Sequence, residues 1–123
     1  MTAVPGKSRG ELPPRHVPAR AVLDLVGLST RAGALVSGTN AVRTAARDGN
    51  VRQVILAADA ADGQRGKLIP LLDARRIPYH ICFSQEELGA ASGRAPVSAV
   101  GFTNTKLAER AGELLAAIAA EPD

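Results

Sequence analysis

Apolar residues change their spacing several times along this chain, and each change marks a new predicted element. Residues 21–33 carry apolar side chains at helical spacing and end on a glycine that can cap a helix C-terminus. Leu35-Val36 is a short extended piece. Thr39 or Asn40 can then cap a second helix, which the pattern carries to Gly49. The first part of the chain therefore predicts a helix, a strand and a helix.

The alternation continues in the rest of the chain. Pro70 lies in a helical pattern and should either occupy the first turn or kink the helix. Ser84 and Glu87 form a capping box for the next helix, and an Ala- and Leu-rich helix runs from Thr105 to about Ala120. Helices alternating with strands predict a three-layer α/β/α sandwich. Its mixed sheet should contain roughly four strands, and about five helices should cover the sheet. Three apolar runs supply further strands: Gln53–Ala58, Tyr79–Phe83 and Val97–Phe102.

The first 18 residues differ from the rest in composition. They are rich in Pro, Gly, Ser and Arg, and the prolines of Leu12–Pro18 exclude that segment from a helix. We interpret residues 1–18 as a flexible tail or linker. Residues 19–123 are then one folded domain, because a chain of 123 residues is long enough for a single core.

The composition limits the kind of core and the cellular location. Hydrophobic residues make up 46% of the chain and aromatic residues only 2%, so the core must be aliphatic and few rings can stack on unpaired bases. No apolar stretch approaches the ~20 residues of a membrane span, and the N-terminus lacks the apolar segment of a signal peptide. We therefore expect a cytoplasmic protein that does not bind a membrane.

The net charge of +3 is concentrated in the N-terminal segment. Residues 1–20 contain four basic residues and one acidic residue, which leaves eleven of each in the rest of the chain. A general positive field therefore does not surround the predicted domain. If the domain binds nucleic acid, it must do so through a local cluster of charges and through shape.

Residues for catalysis or metal binding do not occur in the patterns that such chemistry requires. Cys82 lies in an apolar run and is interpreted as a buried structural thiol, and only His80 shares its predicted strand as a potential metal ligand. Gly63-Gln-Arg-Gly-Lys67 lacks the flanking glycine and hydroxyl residue of a phosphate-binding loop. Glu86-Glu87 point in different directions on a helix. We expect no enzyme, no metal and no cofactor.

The strongest candidate for binding is the turn Gly38-Thr39-Asn40. A helix that begins there presents unpaired N–H groups and the positive end of its dipole, which suits a phosphate or a base edge. Arg43 and Arg47 lie four residues apart on one helix face, and Arg31 precedes the turn. The alternative interpretation is an ordinary helix cap followed by two solvated arginines.

The order and spacing of these motifs resemble the ribosomal 7Ae/30e family of kink-turn RNA-binding proteins, particularly its small bacterial members. The resemblance extends over about residues 20–103. Each piece is weak alone, and the combination in the right order is what makes the match specific. The matching pieces are Leu28–Gly38, Gly38–Gly49, Val54–Asp59, Leu68–Leu72, Ile77–Tyr79 and Leu88–Gly93.

The resemblance implies both a fold and a binding site. The family has an α/β/α sandwich and recognises a sharply bent internal loop with sheared G·A pairs. Gly38, Thr39 and Asn40 match the turn that the family uses, and its helix follows. The segment Ala95-Pro96-Val97 matches the apolar loop that covers an extruded base, with Arg94 beside it. We therefore expect RNA contacts at Arg31, Gly38, Thr39, Asn40, Arg43, Arg47, Arg94, Ala95, Pro96 and Val97.

Two positions depart from the family pattern. Ala41 replaces the acidic residue that accepts from a guanine edge, and Thr44 replaces the lysine that reads the opposite strand. Losing both contacts should weaken standard kink-turn recognition by several kcal/mol, at ~1–3 kcal/mol for each. Arg43 is one position away from the missing lysine and could compensate only in part.

The sequence therefore predicts a non-catalytic, monomeric protein that binds structured RNA, ribosomal or another non-coding RNA, in connection with translation. The alternative is a protein-interaction or accessory module of a longer bacterial chain that keeps the fold and has lost affinity for kink-turns. An enzyme enters only as the RNA-recognition part of a modifying system. Binding that does not change with salt would favour the accessory module.

Overall fold

The computed structural model describes residues 16–120, and side chains from Val17 onward. Within this range the chain forms five helices and four strands in strict alternation, which confirms the predicted α/β class. The elements are α1 (His16–Arg31), β1 (Leu35–Ser37), α2 (Thr39–Arg47), β2 (Gln53–Leu56), α3 (Asp62–Ala74), β3 (Tyr79–Ile81), α4 (Gln85–Ala91), β4 (Ala99–Phe102) and α5 (Thr105–Ala120).

The four strands form one mixed sheet in the order β1-β4-β2-β3. Strand β4 runs antiparallel to both β1 and β2, and β3 runs parallel to β2. Helices α2 and α3 cover one face of the sheet, while α1, α4 and α5 cover the other. The helices of the second face pack mainly through α1, which contacts both α4 and α5. The architecture is therefore the predicted sandwich with a mixed four-stranded sheet.

The core is split between the two faces of the central strands β2 and β4. All four residues of each strand are buried, as expected for strands covered on both sides. Ile55 and Val100 point into the cluster beneath α1 and α5, whereas Val54 and Leu56 point into the cluster beneath α2 and α3. Apart from Phe102, the largest fully buried side chains in the described residues are Ile, Leu and Val, so the core is mainly aliphatic. Each such side chain contributes about 1.5–3 kcal/mol by leaving water.

Three strands are shorter than the apolar runs that predicted them. The pairing of β2 with β3 ends at Leu56 and Ile81. Phe83 cannot continue β3 because its backbone has φ 69°, outside the extended region. Val97 does not begin β4, since its N–H donates to the carbonyl of Gln85 over 3.1 Å instead of to a neighbouring strand. Apolar character alone did not separate strand residues from buried loop residues.

Helix α1 begins earlier than the sequence indicated. The prediction that residues 12–18 cannot be helical is wrong for residues 16–18, because α1 starts at His16. Pro18 lies in the first turn, where its missing N–H would have no helical partner in any case. The rest of the predicted tail, residues 1–15, lies outside the described residues. Pro70 lies well inside α3 and not in its first turn, on an exposed surface where water can reach the carbonyl left unpaired.

Three further expectations concern membrane spans, metal ligands and Cys82. No helix in residues 16–120 is long and apolar enough to cross a membrane. Nor does this part of the chain bring together three His, Cys, Asp or Glu side chains that could hold a metal ion. Cys82 is half-buried, and burial raises the pKa of its thiol.

Candidate nucleic-acid interface

One edge of the sheet gathers the starts of three helices. Strands β1, β2 and β3 all end at this edge, and each leads directly into α2, α3 or α4. Strand β4 begins at the same edge, because Ser37 pairs with Val100 and Leu56 pairs with Ala99. We call this the helix-start edge. Helix N-termini carry partial positive charge, so this edge is the natural place for an anion such as a phosphate.

Gly38 forms the turn between β1 and α2. Its backbone has φ 100° and ψ 151°, a conformation that side chains make unfavourable. Its N–H donates to the carbonyl of Ala99 over 2.8 Å, and its carbonyl accepts from Val42 over 3.0 Å. Gly38 is therefore the residue that caps α2, and the prediction that Thr39 or Asn40 does so is wrong.

The start of α2 is open. No side chain in the described part of the chain caps it, and no acidic residue occurs in its first turn. The early N–H groups of a helix lack intrahelical partners, so those of the first turn, which begins at Thr39 and Asn40, are available to a ligand. Asn40 is exposed and offers both a donor and an acceptor.

Helix α4 begins at the same edge and is closed by its own side chains. The Ser84 hydroxyl accepts from the Glu87 N–H over 3.0 Å, and the Glu87 carboxylate accepts from the Ser84 N–H over 2.9 Å. This is the predicted capping box, and it is confirmed. Helix α3 has no side-chain cap within the described residues, but Asp62 supplies a negative charge in its first turn. Of the three described helices that begin at this edge, α2 therefore has free backbone N–H donors and no acidic residue in its first turn.

The loop between α4 and β4 lies directly on α4. The Arg94 N–H donates to the carbonyl of Gly89 over 2.8 Å. A Cβ on Gly89 would lie 2.7 Å from the carbonyl carbon of Ala95 and 2.8 Å from the Cα of Pro96, so only glycine allows this close approach. Gly89 is the fifth residue of α4.

The loop presents three of its four predicted contact residues. Arg94, Ala95 and Pro96 are exposed. Val97 is only 9% exposed and packs into the core beneath α1 and α5. It therefore anchors the loop, and it leaves little surface for a base.

A polar network holds the loop in place through Gln85. The N–H of Gln85 donates to the Asp59 carboxylate over 2.8 Å, and its side-chain amide donates to the Asp59 carbonyl over 3.1 Å. Ser98 Oγ donates to Gln85 Oε1 over 3.1 Å. Sequence reasoning missed Gln85 and Asp59, because their 26-residue separation carries no local signal.

The turn and the loop are neighbours in space. Ala99, the first residue of β4 after the loop, accepts the hydrogen bond from the Gly38 N–H. The carbonyl of Ser98 accepts from the Ala57 N–H over 2.8 Å, which ties the same loop to the end of β2. The structure therefore brings Gly38, Thr39 and Asn40 to the edge where the Arg94–Pro96 segment returns to the sheet.

The exposed surface of α2 has two different flanks. The flank towards β1 borders a groove of about 610 Å³, with Asn40, Ala41 and Thr44 in its lining. Arg43 and Arg47 are exposed and do not line this groove. Successive helix residues are rotated by about 100°, so Arg43 does not occupy the space left by the missing lysine at Thr44.

The structure does not bring Arg31 to the turn. Arg31 ends α1, which packs on the face of the sheet opposite α2. It lines a groove of about 540 Å³ between α1 and α4, together with Glu87 and Ala90. Arg31 is close to the turn in sequence but not in space. Strand β1 connects α1 to the turn, and α1 and α2 cover opposite faces of the sheet to which β1 belongs.

Two described groups have shifted pKa values, and both lie away from the turn. Burial lowers the pKa of His80, and burial is the main cause that raises the pKa of Cys82. His80 lies on β3 and Cys82 follows it, whereas β1 is at the opposite end of the strand order. Their shifts reflect packing and do not contribute to the interface.

The described residues thus form an α/β/α sandwich with an open helix start beside an exposed loop. The family model of the ribosomal protein L7Ae/L30e/S12e/Gadd45 family matches residues 20–111. The chain belongs to this family, as the order of its motifs indicated.

Two solved structures are similar to this chain. A protein of unknown function from Bacillus halodurans superposes with a TM-score of 0.74 and 28% identity, covering 77% of this chain and 96% of that one. The Giardia lamblia 15.5kD RNA binding protein superposes with a TM-score of 0.69 and 23% identity, covering 89% of this chain and 98% of that one. At 23% identity, the similarity to the Giardia lamblia protein shows a shared fold and nothing more.

Proposed function

We propose that this protein is a non-catalytic RNA-binding domain that recognises a bent, kink-turn-like element of a structured RNA. The observation that carries the proposal is the open start of α2 beside the Arg94–Pro96 loop. Membership of a ribosomal protein family supports it, as does the likeness in fold to a protein named for RNA binding.

Each part of the edge has a role in this proposal. The free N–H groups of the first turn of α2 hold a phosphate or a base edge. The amide of Asn40 reads the edge of a base, because it can donate and accept at once. Ala95 and Pro96 offer an apolar surface to a base that has left its stack, and Arg94 pairs with a phosphate.

Ala41 and Thr44 change the specificity that the family pattern would give. Neither side chain can replace a glutamate that accepts from guanine or a lysine that reads the opposite strand. The groove beside them is correspondingly open. We therefore propose weaker binding to a standard kink-turn than an Asn-Glu-Lys set would give.

The setting of the function follows from the same proposal. We propose a ribosomal or other non-coding RNA as the partner, a role connected with translation, and a cytoplasmic monomer. The interface offers hydrogen-bond donors, arginines and an apolar loop, which grip a ligand without transforming it. No step of chemistry, metal ion or cofactor is assigned to it.

A fluorescence titration with a labelled kink-turn RNA hairpin tests the proposal. The variant N40A/R43A should bind at least tenfold more weakly, since it loses a base contact and a phosphate contact of ~1 kcal/mol or more each. R110A is the matched control: Arg110 is exposed on α5, pairs with Glu113 and lies on the other layer. Equal affinity of N40A/R43A and the unchanged protein would reject the site.

The accessory module remains a second candidate because Ala41 and Thr44 remove two expected base contacts. It differs from RNA binding in its response to salt. Phosphate contacts release counterions, so RNA affinity should fall steeply between about 50 and 200 mM salt. Binding to cellular material that does not change over this range would favour a protein partner.

A further inference from the structure

The far ends of α2 and α3 are joined by an arginine. Arg75, the C-cap residue of α3, donates from Nη1 to the carbonyl of Arg47 over 2.8 Å. Arg47 is the last residue of α2, so its carbonyl belongs to the negative end of that helix. The guanidinium of Arg75 offsets this partial negative charge. The end of α2 therefore does not repel an anion as an unpaired helix C-terminus would.

The next residue, Arg76, stands where a glycine is ordinarily found. Its backbone has φ 56°, in the left-handed region that crowds a Cβ against a carbonyl. Its N–H donates to the carbonyl of Asp73, and the Ile77 N–H donates to that of Leu72, so the turn closes α3 in the way that favours glycine. The Arg76 side chain is exposed and contributes nothing to the core. The guanidinium of Arg76 is therefore available at the surface, and packing does not offset the backbone cost of its position.

Four arginines thus lie along α2 and at the adjoining ends of α2 and α3, and we call them the arginine track: Arg43, Arg47, Arg75 and Arg76. All four are exposed. Asp48 and Asp73 are nearby and also exposed, yet neither lies within ion-pair distance of the track; the described ion pairs join Asp62 to Arg65 and Arg110 to Glu113. The charges of the track are therefore not neutralised by described acids.

The track begins at the proposed interface and leads away from it. Arg43 is three residues from Asn40, about one helical turn. From Asn40 to Arg47 the axis of α2 rises about 10 Å, and Arg75 continues from the end of the helix. A nucleic-acid strand held at Asn40 and lying along α2 would bring successive phosphates past these guanidinium groups, which bind phosphate in two-pronged fashion.

We propose that Arg75 and Arg76 hold the phosphate backbone of the RNA helix that flanks the element recognised at the start of α2. This inference rests on the proposed function and extends it from the recognised loop to the adjoining duplex. The contacts carry no sequence information, because phosphates are the same at every position. They set the direction in which the duplex leaves the protein.

The variant R76G gives an unusually clean test. It removes the charge and also relieves the left-handed strain, so the folded protein should be at least as stable as before. Two labelled kink-turn hairpins serve as probes, one with a flanking helix of a few base pairs and one with a helix a full turn longer. N40A reports on recognition of the loop, R76K keeps the charge, and R110A is the control on the other layer.

On the longer hairpin R76G should bind about threefold to tenfold more weakly, and the slope of log affinity against log salt should fall by about 0.9 for one lost phosphate. On the shorter hairpin R76G and R76K should both match the unchanged protein. On the longer hairpin R76K should lose less affinity than R76G, because it keeps the charge but not the two-pronged geometry. N40A should weaken binding to both probes.

The outcomes separate the two proposals. If N40A weakens binding while R76G leaves affinity and salt slope unchanged on the longer hairpin, the arginine track is rejected and the loop site stands. An equal loss for R76G on both hairpins would also reject contact with the flanking helix. If the unchanged protein binds neither hairpin, the proposed function and the track fail together.

Discussion

Helices α2 and α4 begin at the same edge of one sheet, yet side chains cap the first turn of α4 and none in the described residues caps that of α2. Ser84 and Glu87 satisfy the first turn of α4 from within the chain. At α2 the cap is Gly38, which has no side chain, and the first turn contains no acid. The first arrangement stabilises a helix, whereas the second leaves its donors to a ligand.

The difference separates a helix start that the chain satisfies by itself from the one that we propose binds RNA. A glycine cap is less stabilising than a Ser, Thr, Asp or Asn cap by only about a few tenths of a kcal/mol, so the open start of α2 costs the fold little. The open start also lies next to a loop with exposed Arg94, Ala95 and Pro96. Helix α4 supports the loop instead, through Gly89 and Gln85. One edge therefore holds both the site and its support.

The largest change should come from completing the base-reading set on α2. The double variant A41E/T44K introduces a carboxylate that accepts from guanine and an ammonium that reads the opposite strand. Affinity for a standard kink-turn hairpin should rise by about 2–6 kcal/mol, if each contact contributes ~1–3 kcal/mol. Titration with the hairpin and with a straight duplex of equal length measures this. A gain that is equal for both RNAs would show that only charge had been added.

The support given by α4 can be broken at Gly89. The variant G89A places a methyl group against the backbone of Ala95 and Pro96 and should lower the free energy of unfolding by about 1–3 kcal/mol. The displaced loop should also reduce RNA affinity. G63A, at an exposed glycine of α3 whose Cβ would meet nothing, is the matched control. Thermal unfolding and hairpin titration of both variants decide whether the loop needs this close contact.

Gly38 tests the open helix start itself. G38A meets no neighbouring atom, so its effect is purely one of backbone conformation, about 1–3 kcal/mol of strain. Relief of the strain should rotate the turn and weaken both stability and RNA binding. Chemical denaturation combined with titration checks the two losses. Full RNA affinity in a folded G38A protein would contradict a site that depends on this geometry.

The smallest effect is expected at the closed start of α4. S84A removes the side-chain cap and should lower the free energy of unfolding by about 1 kcal/mol, while RNA affinity stays the same. S84T keeps the hydroxyl and is the control. If S84A weakens RNA binding as strongly as G38A, the two helix starts do not differ in role.

Local patterns were enough to predict the fold. Each apolar run became a strand or helix near its predicted place, and the Ser84 capping box formed as its two residues indicated. The bounds were less exact, since Phe83 leaves its strand through a positive φ that its apolar character does not reveal. Helix α1 likewise began at His16 in spite of Pro18.

Only those parts of the candidate site that lie within short sequence motifs could be predicted. The turn and the loop were found as short motifs, but their contact depends on the hydrogen bond from Gly38 to Ala99, 61 positions later. The bonds of Gln85 to Asp59 and of Arg75 to Arg47 span 26 and 28 residues. Arg31 and Val97 were expected to contact RNA, and the sequence did not show that Arg31 lies on the layer opposite the turn or that Val97 is buried. Sequence distance does not report on which side of a sheet a residue lies.

The hydrogen bond between Gly38 and Ala99 fixes the start of α2 to a central strand before any ligand arrives. The turn is thus preorganised, and its conformational entropy is lost during folding and not upon association. In the proposed complex this turn needs no rearrangement, so the bending that fits RNA to protein is expected in the RNA.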